Sequence, residues 1–375
     1  MPMHPKVPTV RIPSPQDRFW TGMAFRPCDD SMALLDSGSA TIFMVDCETG
    51  KPLRTFSVGA DVQGMSFDEL GCHLVAVSTE QVFIWPLDDE PSARRVFPNR
   101  VNYDLDSSFP AFSVNGHRAW MFFEDEWQLW SLTEGRIVDT MTAPKGERLL
   151  RVTQGPDGVA VTYDERAANH EAITIAVWSL AAKACIREIR LAKWENVVVS
   201  YDATTAVIGE AGTSKQIGIW NLRQGIQLRE LDGPFVLPDS DFCGGNSRFA
   251  SYTLDNESAK WASIAITDIH TAEQRYFDTA LPIRPFFRCS PYTPHISMIA
   301  NDRRCPVNTT QFWNIFSAMQ IGETQGHVGL SGHFLYSPNG NWFATTNNVD
   351  SAEIMVDDGM NGFVAITDLR KLGDR

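Results

Sequence analysis

Apolar residues in this chain do not recur at helical spacing over any long stretch. They fall in short runs with apolar side chains on both faces, the pattern of a strand sandwiched between layers. One run recurs eight times: Phe43-Met44-Val45-Asp46, Phe83-Ile84-Trp85-Pro86-Leu87, Leu129-Trp130-Ser131-Leu132, Val177-Trp178-Ser179-Leu180, Ile219-Trp220-Asn221-Leu222, Ile266-Thr267-Asp268-Ile269, Phe312-Trp313-Asn314-Ile315 and Ile366-Thr367-Asp368-Leu369. Anchored on Val45, Trp85, Trp130, Trp178, Trp220, Thr267, Trp313 and Thr367, the intervals are 40, 45, 48, 42, 47, 46 and 54 residues, with a mean of 46. Five of the eleven tryptophans share one position of this repeat, and chance would scatter them.

Upstream of each anchor, an apolar strand, a tight turn and a second apolar strand recur. The clearest copy is Phe334-Leu335-Tyr336-Ser337-Pro338-Asn339-Gly340-Asn341-Trp342-Phe343-Ala344. Asn-Gly serves such turns because both residues tolerate positive φ. Downstream comes a short turn and a polar strand, as in Glu48-Thr49-Gly50-Lys51-Pro52-Leu53-Arg54-Thr55-Phe56. Each unit therefore reads as a four-stranded antiparallel blade, and the chain as one all-β domain over 1–375, an eight-bladed β-propeller. The eighth unit ends without a fourth strand. The N-terminal arm, residues 1–18, has a spare extended run at 8–13. Pairing that run with the last blade closes the ring and covers an open edge, and its terminal prolines suit an edge strand.

The unit resembles the WD40 repeat, whose hallmarks are Gly-His, an inner strand ending in Phe-Ser-Pro-Asp-Gly, and a closing Trp-Asp. Gly326-His327 stands nine residues before Tyr336-Ser337-Pro338-Asn339-Gly340, the family spacing. The closing Asp survives as Asp46, Asp268 and Asp368, without the Trp before it. The resemblance spans almost the whole chain at low fidelity. It implies a propeller that binds other proteins.

Charge narrows the partners. With 32 Lys and Arg against 46 Asp and Glu, the net charge is −14. That balance opposes nucleic acid and anionic membrane surfaces, and the expected partner is a protein with a basic or mixed surface. No apolar leader opens the sequence and no run of 18 apolar residues occurs, so the expectation is a cytoplasmic protein, with the nucleus also open to it. The seven cysteines are an odd number with no C-x-x-C, which reads as reduced, mostly buried thiols.

Catalytic signatures are largely missing: no G-x-S-x-G, no P-loop, no G-x-G-x-x-G and no H-E-x-x-H. No cofactor and no metal is expected. Asp104-Leu105-Asp106 and Asp239-Ser240-Asp241 do not continue into a calcium loop and read as solvated loop acids. The remaining candidates lie in loops that a propeller gathers on its top face, between second and third strands or between blades. His170-Glu171 could pair as base and orienting carboxylate, although adjacent residues usually point apart. Arg303-Arg304 could clamp a carboxylate or phosphate, or pair with surface acids. His327 reads as a structural histidine or a ligand at the channel mouth. Trp20 and Trp194 fall off the repeat register and read as exposed anchors. The 347–361 loop carries Asp350, Glu353, Asp357 and Asp358.

Two functions follow. The favoured one is a protein-binding scaffold using the loop-rich top face. The rival is a small-molecule enzyme, of isomerase, cyclase or hydrolase type, at the mouth of the central channel, built from His170, Glu171, Arg303, Arg304 and His327.

Overall fold

The structure is a computed structural model that describes residues 6–14, 20–36, 38–59, 62–78, 81–87, 95–98, 113–115, 118–123, 126–142, 147–153, 158–164, 173–191, 195–210, 213–254, 261–277, 286–299, 309–325, 334–348 and 362–372. The first strand, β1 (Thr9–Pro13), stands apart from the repeat. Blade 1 is β2 (Trp20–Phe25), β3 (Ser31–Asp36), β4 (Thr41–Asp46) and β5 (Pro52–Ser57). Blade 2 is β6 (Val62–Phe67), β7 (His73–Ser78), β8 (Gln81–Pro86) and β9 (Arg95–Pro98). Blade 3 is β10 (Ser113–Asn115), β11 (Arg118–Phe123), β12 (Glu126–Ser131) and β13 (Arg136–Thr142). Blade 4 is β14 (Glu147–Val152), β15 (Val159–Asp164), β16 (Ile173–Ser179) and β17 (Ala184–Leu191).

Blades 5 and 6 form one seven-stranded sheet. It comprises β18 (Glu195–Val199), β19 (Thr205–Glu210), β20 (Thr213–Asn221), β21 (Ile226–Cys243), β22 (Arg248–Leu254), β23 (Trp261–Asp268) and β24 (Gln274–Phe277). The long β21 serves as fourth strand of one blade, pairing with β20, and as first strand of the next, pairing with β22. Blade 7 is β25 (Phe286–Cys289), β26 (His295–Ile299), β27 (Thr309–Asn314) and β28 (Met319–Gln325). Blade 8 is β29 (Phe334–Tyr336), β30 (Trp342–Asn348) and β31 (Gly362–Asp368), completed by β1. The fold is thus an eight-bladed β-propeller, and every anchor residue stands on a third strand.

By its contacts the chain divides into two compact units, Met1–Phe67 with Ala280–Arg375, and Asp68–Thr279. In the first, β1 runs antiparallel to β31 from Thr9↔Thr367 to Pro13↔Phe363. Val7 N–H also donates to the Glu323 carbonyl of β28 at 2.9 Å. One apolar seam joins Ile12, Trp342, Val364 and Ile366 to Met32 and Leu34 of blade 1. Another joins Phe312 and Ile321 of blade 7 to Phe343 of blade 8. In the second unit, seams join blades 2 and 3 through Val75, Ile84, Met121 and Trp130, and blades 3 and 4 through Trp127, Trp120 and Trp178. Further seams join blades 4 and 5 through Val161, Val177 and Ile208, and blades 5 and 6 through Ile219, Phe235 and Phe249. The second strands β3 and β7 are buried along their whole length because neighbours cover both faces. Each large side chain so buried contributes about 1.5–3 kcal/mol.

The anchor motif has a local physical meaning. The residue after the anchor accepts amide hydrogen bonds from the turn into the fourth strand. Asp46 Oδ1 takes Thr49 N–H at 2.7 Å, Asn221 Oδ1 takes Gln224 N–H at 2.9 Å, and Asn314 Oδ1 takes Phe316 N–H at 2.8 Å. Ser131, Ser179 and Asp268 act alike, and Asp368 accepts from Arg370 N–H at the start of the short 3-10 helix Leu369–Lys371. Short polar side chains fold onto nearby amides in this way, which is why Asp, Asn and Ser recur there. The next residue, the aliphatic one noted in the repeat, is buried, and its N–H bonds the carbonyl just before the second strand. Examples are Cys47 to Asp30, Leu222 to Thr204, Ile315 to Pro294 and Leu369 to Asn341. The turn then needs a left-handed residue, filled by Gly50, Gly135 and Gly225 and, at some strain, by Lys183, Ala272 and Ala318.

Gly50 has a second constraint: a Cβ there would stand 2.7 Å from Val10 Cγ1 of β1. At Gly225 the same atom would meet only the flexible Arg187 side chain. Gly225→Ala is therefore expected to cost about 1 kcal/mol from the positive φ alone. Gly50→Ala adds overpacking against a stiff β-branched strand and should cost about 2–4 kcal/mol. Denaturant titration of both variants checks the order; equal losses would contradict it.

Candidate functional site

The two ends of the blades differ. Turns from third to fourth strand are short and nearly uniform. Four residues separate β12 from β13, β16 from β17, β20 from β21 and β27 from β28, and five separate β4 from β5 and β23 from β24; only blade 2, with eight, departs. Connections at the opposite end vary widely. From second to third strand, two residues separate β7 from β8, eight separate β15 from β16, nine separate β26 from β27 and thirteen separate β30 from β31. Between blades they range from none, within β21, to fourteen between β9 and β13's blade partner β10. One end is a fixed lock and the other carries the variation.

Of the residues singled out by sequence, His170, Glu171, Trp194, Arg303, Arg304, His327, Asp350, Glu353, Asp357 and Asp358 lie outside the described residues. Trp20 is described, and it is not an exposed anchor. It is only 3% exposed, stacks edge-on against Phe43 and donates its indole N–H to the Ile12 carbonyl at 3.3 Å. The sequence reading failed because an off-register tryptophan can still fill the seam that the closing strand creates. Asp241 is a second correction: it is no solvated loop acid but a buried residue of β21. A third concerns the thiols. Cys28, Cys47, Cys72 and Cys185 are in no disulfide, whereas Cys243 and Cys289 are disulfide-bonded.

Asp241, on the first strand of blade 6, belongs to a polar row with Arg151 on the first strand of blade 4 and Tyr201 in the turn that follows the first strand of blade 5. Arg151 of β14 lays its guanidinium over the Tyr201 ring at 4.5 Å and donates to the Val199 carbonyl at 3.4 Å. Tyr201 Oη donates to the two carboxylate oxygens of Asp241 at 3.0 and 3.1 Å, and Phe242 N–H adds a bond at 3.0 Å. Asn246 Oδ1 accepts from Tyr201 N–H at 2.8 Å and fixes the turn. Register shifts precede both charged residues, at Leu149/Arg151 and at Val236/Asp241. Such bulges re-aim side chains and do not show in a sequence.

A second polar group lies at the junction of blades 8 and 1. Trp342 Nε1 donates to Asp30 Oδ1 at 2.7 Å, and Arg370 stacks over the Trp342 ring at 4.7 Å. Arg370 also bonds Asp30 at 3.2 Å and Asp368 at 2.8 and 3.1 Å. Beneath it, burial and the nearby Asp30 and Asp46 push the Cys47 thiol well up. This group ties blade to blade. Among the described residues, no cluster of three or more His, Cys, Asp or Glu could hold a metal, and no helix is long and apolar enough to cross a membrane.

The class is therefore an eight-bladed β-propeller with a uniform end and a variable one. No protein-family model matches the chain, and no curated protein matches it. Among solved structures, one described as the crystal structure of the eukaryotic initiation factor is similar over 95% of this chain and 87% of its own, with a TM-score of 0.58 and 10% identity. At that identity the likeness is one of fold.

Two turn acids set a pH dependence. Burial opposes the charge on Asp268, but the Thr271 and His270 amides and Arg248 outweigh it and hold its carboxyl below the usual range. Burial likewise opposes Asp368, and Arg370 with Lys371 outweighs it. A depressed carboxyl stabilises the fold above its unfolded value, about 3.9, and that contribution is lost as pH falls through the folded value. Denaturant titrations should show stability falling below about pH 4. The Asp268→Asn/Asp368→Asn variant should be weaker at pH 7 and fall less steeply in acid; an unchanged acid limb would contradict this.

Proposed function

We propose that the chain is a protein-binding platform built from divergent WD40-type repeats, whose partner docks on the end of the blades where connections vary. The observation that carries it is the contrast between locked turns at one end and connections of none to fourteen residues at the other. Binding residues concentrate on variable loops held by a rigid scaffold. The WD40 reading is supported by the turns that follow the first strands of blades 5 and 8. Ser337 Oγ accepts from Trp342 N–H at 2.9 Å across Ser-Pro-Asn-Gly, and Ser200 does the same for Thr205. It is supported also by the amide-capping role of Asp46, Asp268 and Asp368. The repeats are divergent because anchor indoles find partners within their own blade. Trp130 and Trp313 donate to Gln128 and Gln311 on the same strand, and Trp178 donates to Thr162.

The partner surface is basic or mixed, complementing a chain of net charge −14 and the acids Asp350, Glu353, Asp357 and Asp358. Exposed charges steer encounter and are screened by salt. With a partner captured from native extract, neutralising those four acids together should slow association by about tenfold and flatten its salt dependence, with the melting curve unchanged. Trp194→Ala should speed dissociation. Association that is unaffected by either change would contradict this placement. Recovery of no protein, together with a metabolite that is chemically altered on incubation, would favour an enzyme.

A further inference from the structure

Several described basic side chains near the turns are paired with acids: Arg136 with Glu134, Lys183 with Asp139, Arg248 with Asp268, Arg275 with Glu273 and Arg370 with Asp368. Arg151 is not. It has no carboxylate partner among the described residues, although it is half-buried on β14, an edge strand of its four-stranded sheet. Its Nε is shut from water without a hydrogen-bond partner, and Nη2 makes only the 3.4 Å bond to Val199. Its nearest neighbour in the row, Tyr201, spends its hydroxyl on Asp241, so the acid of this row is satisfied by the phenol and an amide and not by the arginine. The shift in register at Leu149/Arg151 aims the side chain away from the regular ladder, and the Tyr201 ring holds the guanidinium flat.

We infer that Arg151 is the recognition group of a small-ligand site on the first strands of blades 4 and 5, and that the ligand it takes is a small carboxylate. The terminal nitrogens of a guanidinium present parallel donors that match the two oxygens of a carboxylate. A stacked guanidinium is already oriented and partly desolvated, so little order is lost when the pair forms. The buried Asp241 carboxylate on the far side of Tyr201 disfavours a doubly charged phosphate more than a singly charged carboxylate. The inference goes beyond the platform reading and does not depend on it: a partner on the variable end of the blades leaves Arg151 to a separate ligand.

The test is thermal-shift and calorimetric titration of the full chain with acetate, succinate and inorganic phosphate at fixed ionic strength. The expected result is a saturable rise in melting temperature with acetate or succinate that sodium chloride does not give. Arg151→Gln should abolish it, and Arg151→Lys, which keeps the charge and loses the paired donors, should weaken binding at least tenfold. If the glutamine variant does not fold, the lysine variant carries the comparison. The inference is overturned if neither carboxylate gives a saturable shift, if the Arg151 variants bind as the parent does, or if phosphate binds as tightly as the carboxylates.

Discussion

The pairing of β1 with β31 is the constraint on which the rest depends. A propeller blade is stable only when its apolar faces are covered by neighbours, and the last blade draws only three strands from its own repeat. Residues 9–13 supply the fourth from the opposite end of the sequence. That strand does more than complete hydrogen bonds. Ile12 joins the seam between blades 8 and 1, its carbonyl accepts the Trp20 indole, and Val10 packs over Gly50 on the turn of blade 1. An exposed β31 would be an open template for association. Here it is an interior strand, with Val364, Ala365 and Ile366 fully buried.

The same logic explains why one end of the blades is monotonous. Outside blade 2, each third-to-fourth turn returns the chain in four or five residues while burying a Leu, Ile or Cys side chain, and few sequences do so. An Asp, Asn or Ser to cap the amides, a buried Leu, Ile or Cys, and a glycine or a strained alanine or lysine recur in these turns. Register shifts recur at the anchor itself, at Met44/Val45, Leu129/Trp130, Val177/Trp178, Ile219/Trp220 and Phe312/Trp313. The bulge lets a bulky anchor face the seam while the strand twists into its turn. Stability is therefore concentrated in the locked end and the seams. The other end is free to vary in length.

Much of this was legible in the amino-acid pattern because it is periodic. Strand identity, blade number, the placement of all eight anchors on third strands and the origin of the closing strand follow from apolar runs and turn residues. What escaped is tertiary. Nothing local distinguishes Trp20, packed under a returning strand, from an exposed aromatic. Asp239-Ser240-Asp241 has loop composition, yet Asp241 is drawn into β21, which runs through two blades without a break. Arg151, Tyr201 and Asp241 are separated by 50 and 40 positions and meet only because the turn after the first strand of blade 5 reaches the first strands of blades 4 and 6. The disulfide-bonded state of Cys243 and Cys289 is equally invisible to spacing.

Hydrogen exchange tests the closure most directly. In β31, alternate amides face β30 and β1. If β1 is the fourth strand of blade 8, both sets between residues 363 and 367 should exchange as slowly as the interior amides of β3 and β8, and removal of residues 1–14 should speed only the set that faces β1. Fast exchange of that set in the intact chain, as at a free sheet edge, would contradict the account.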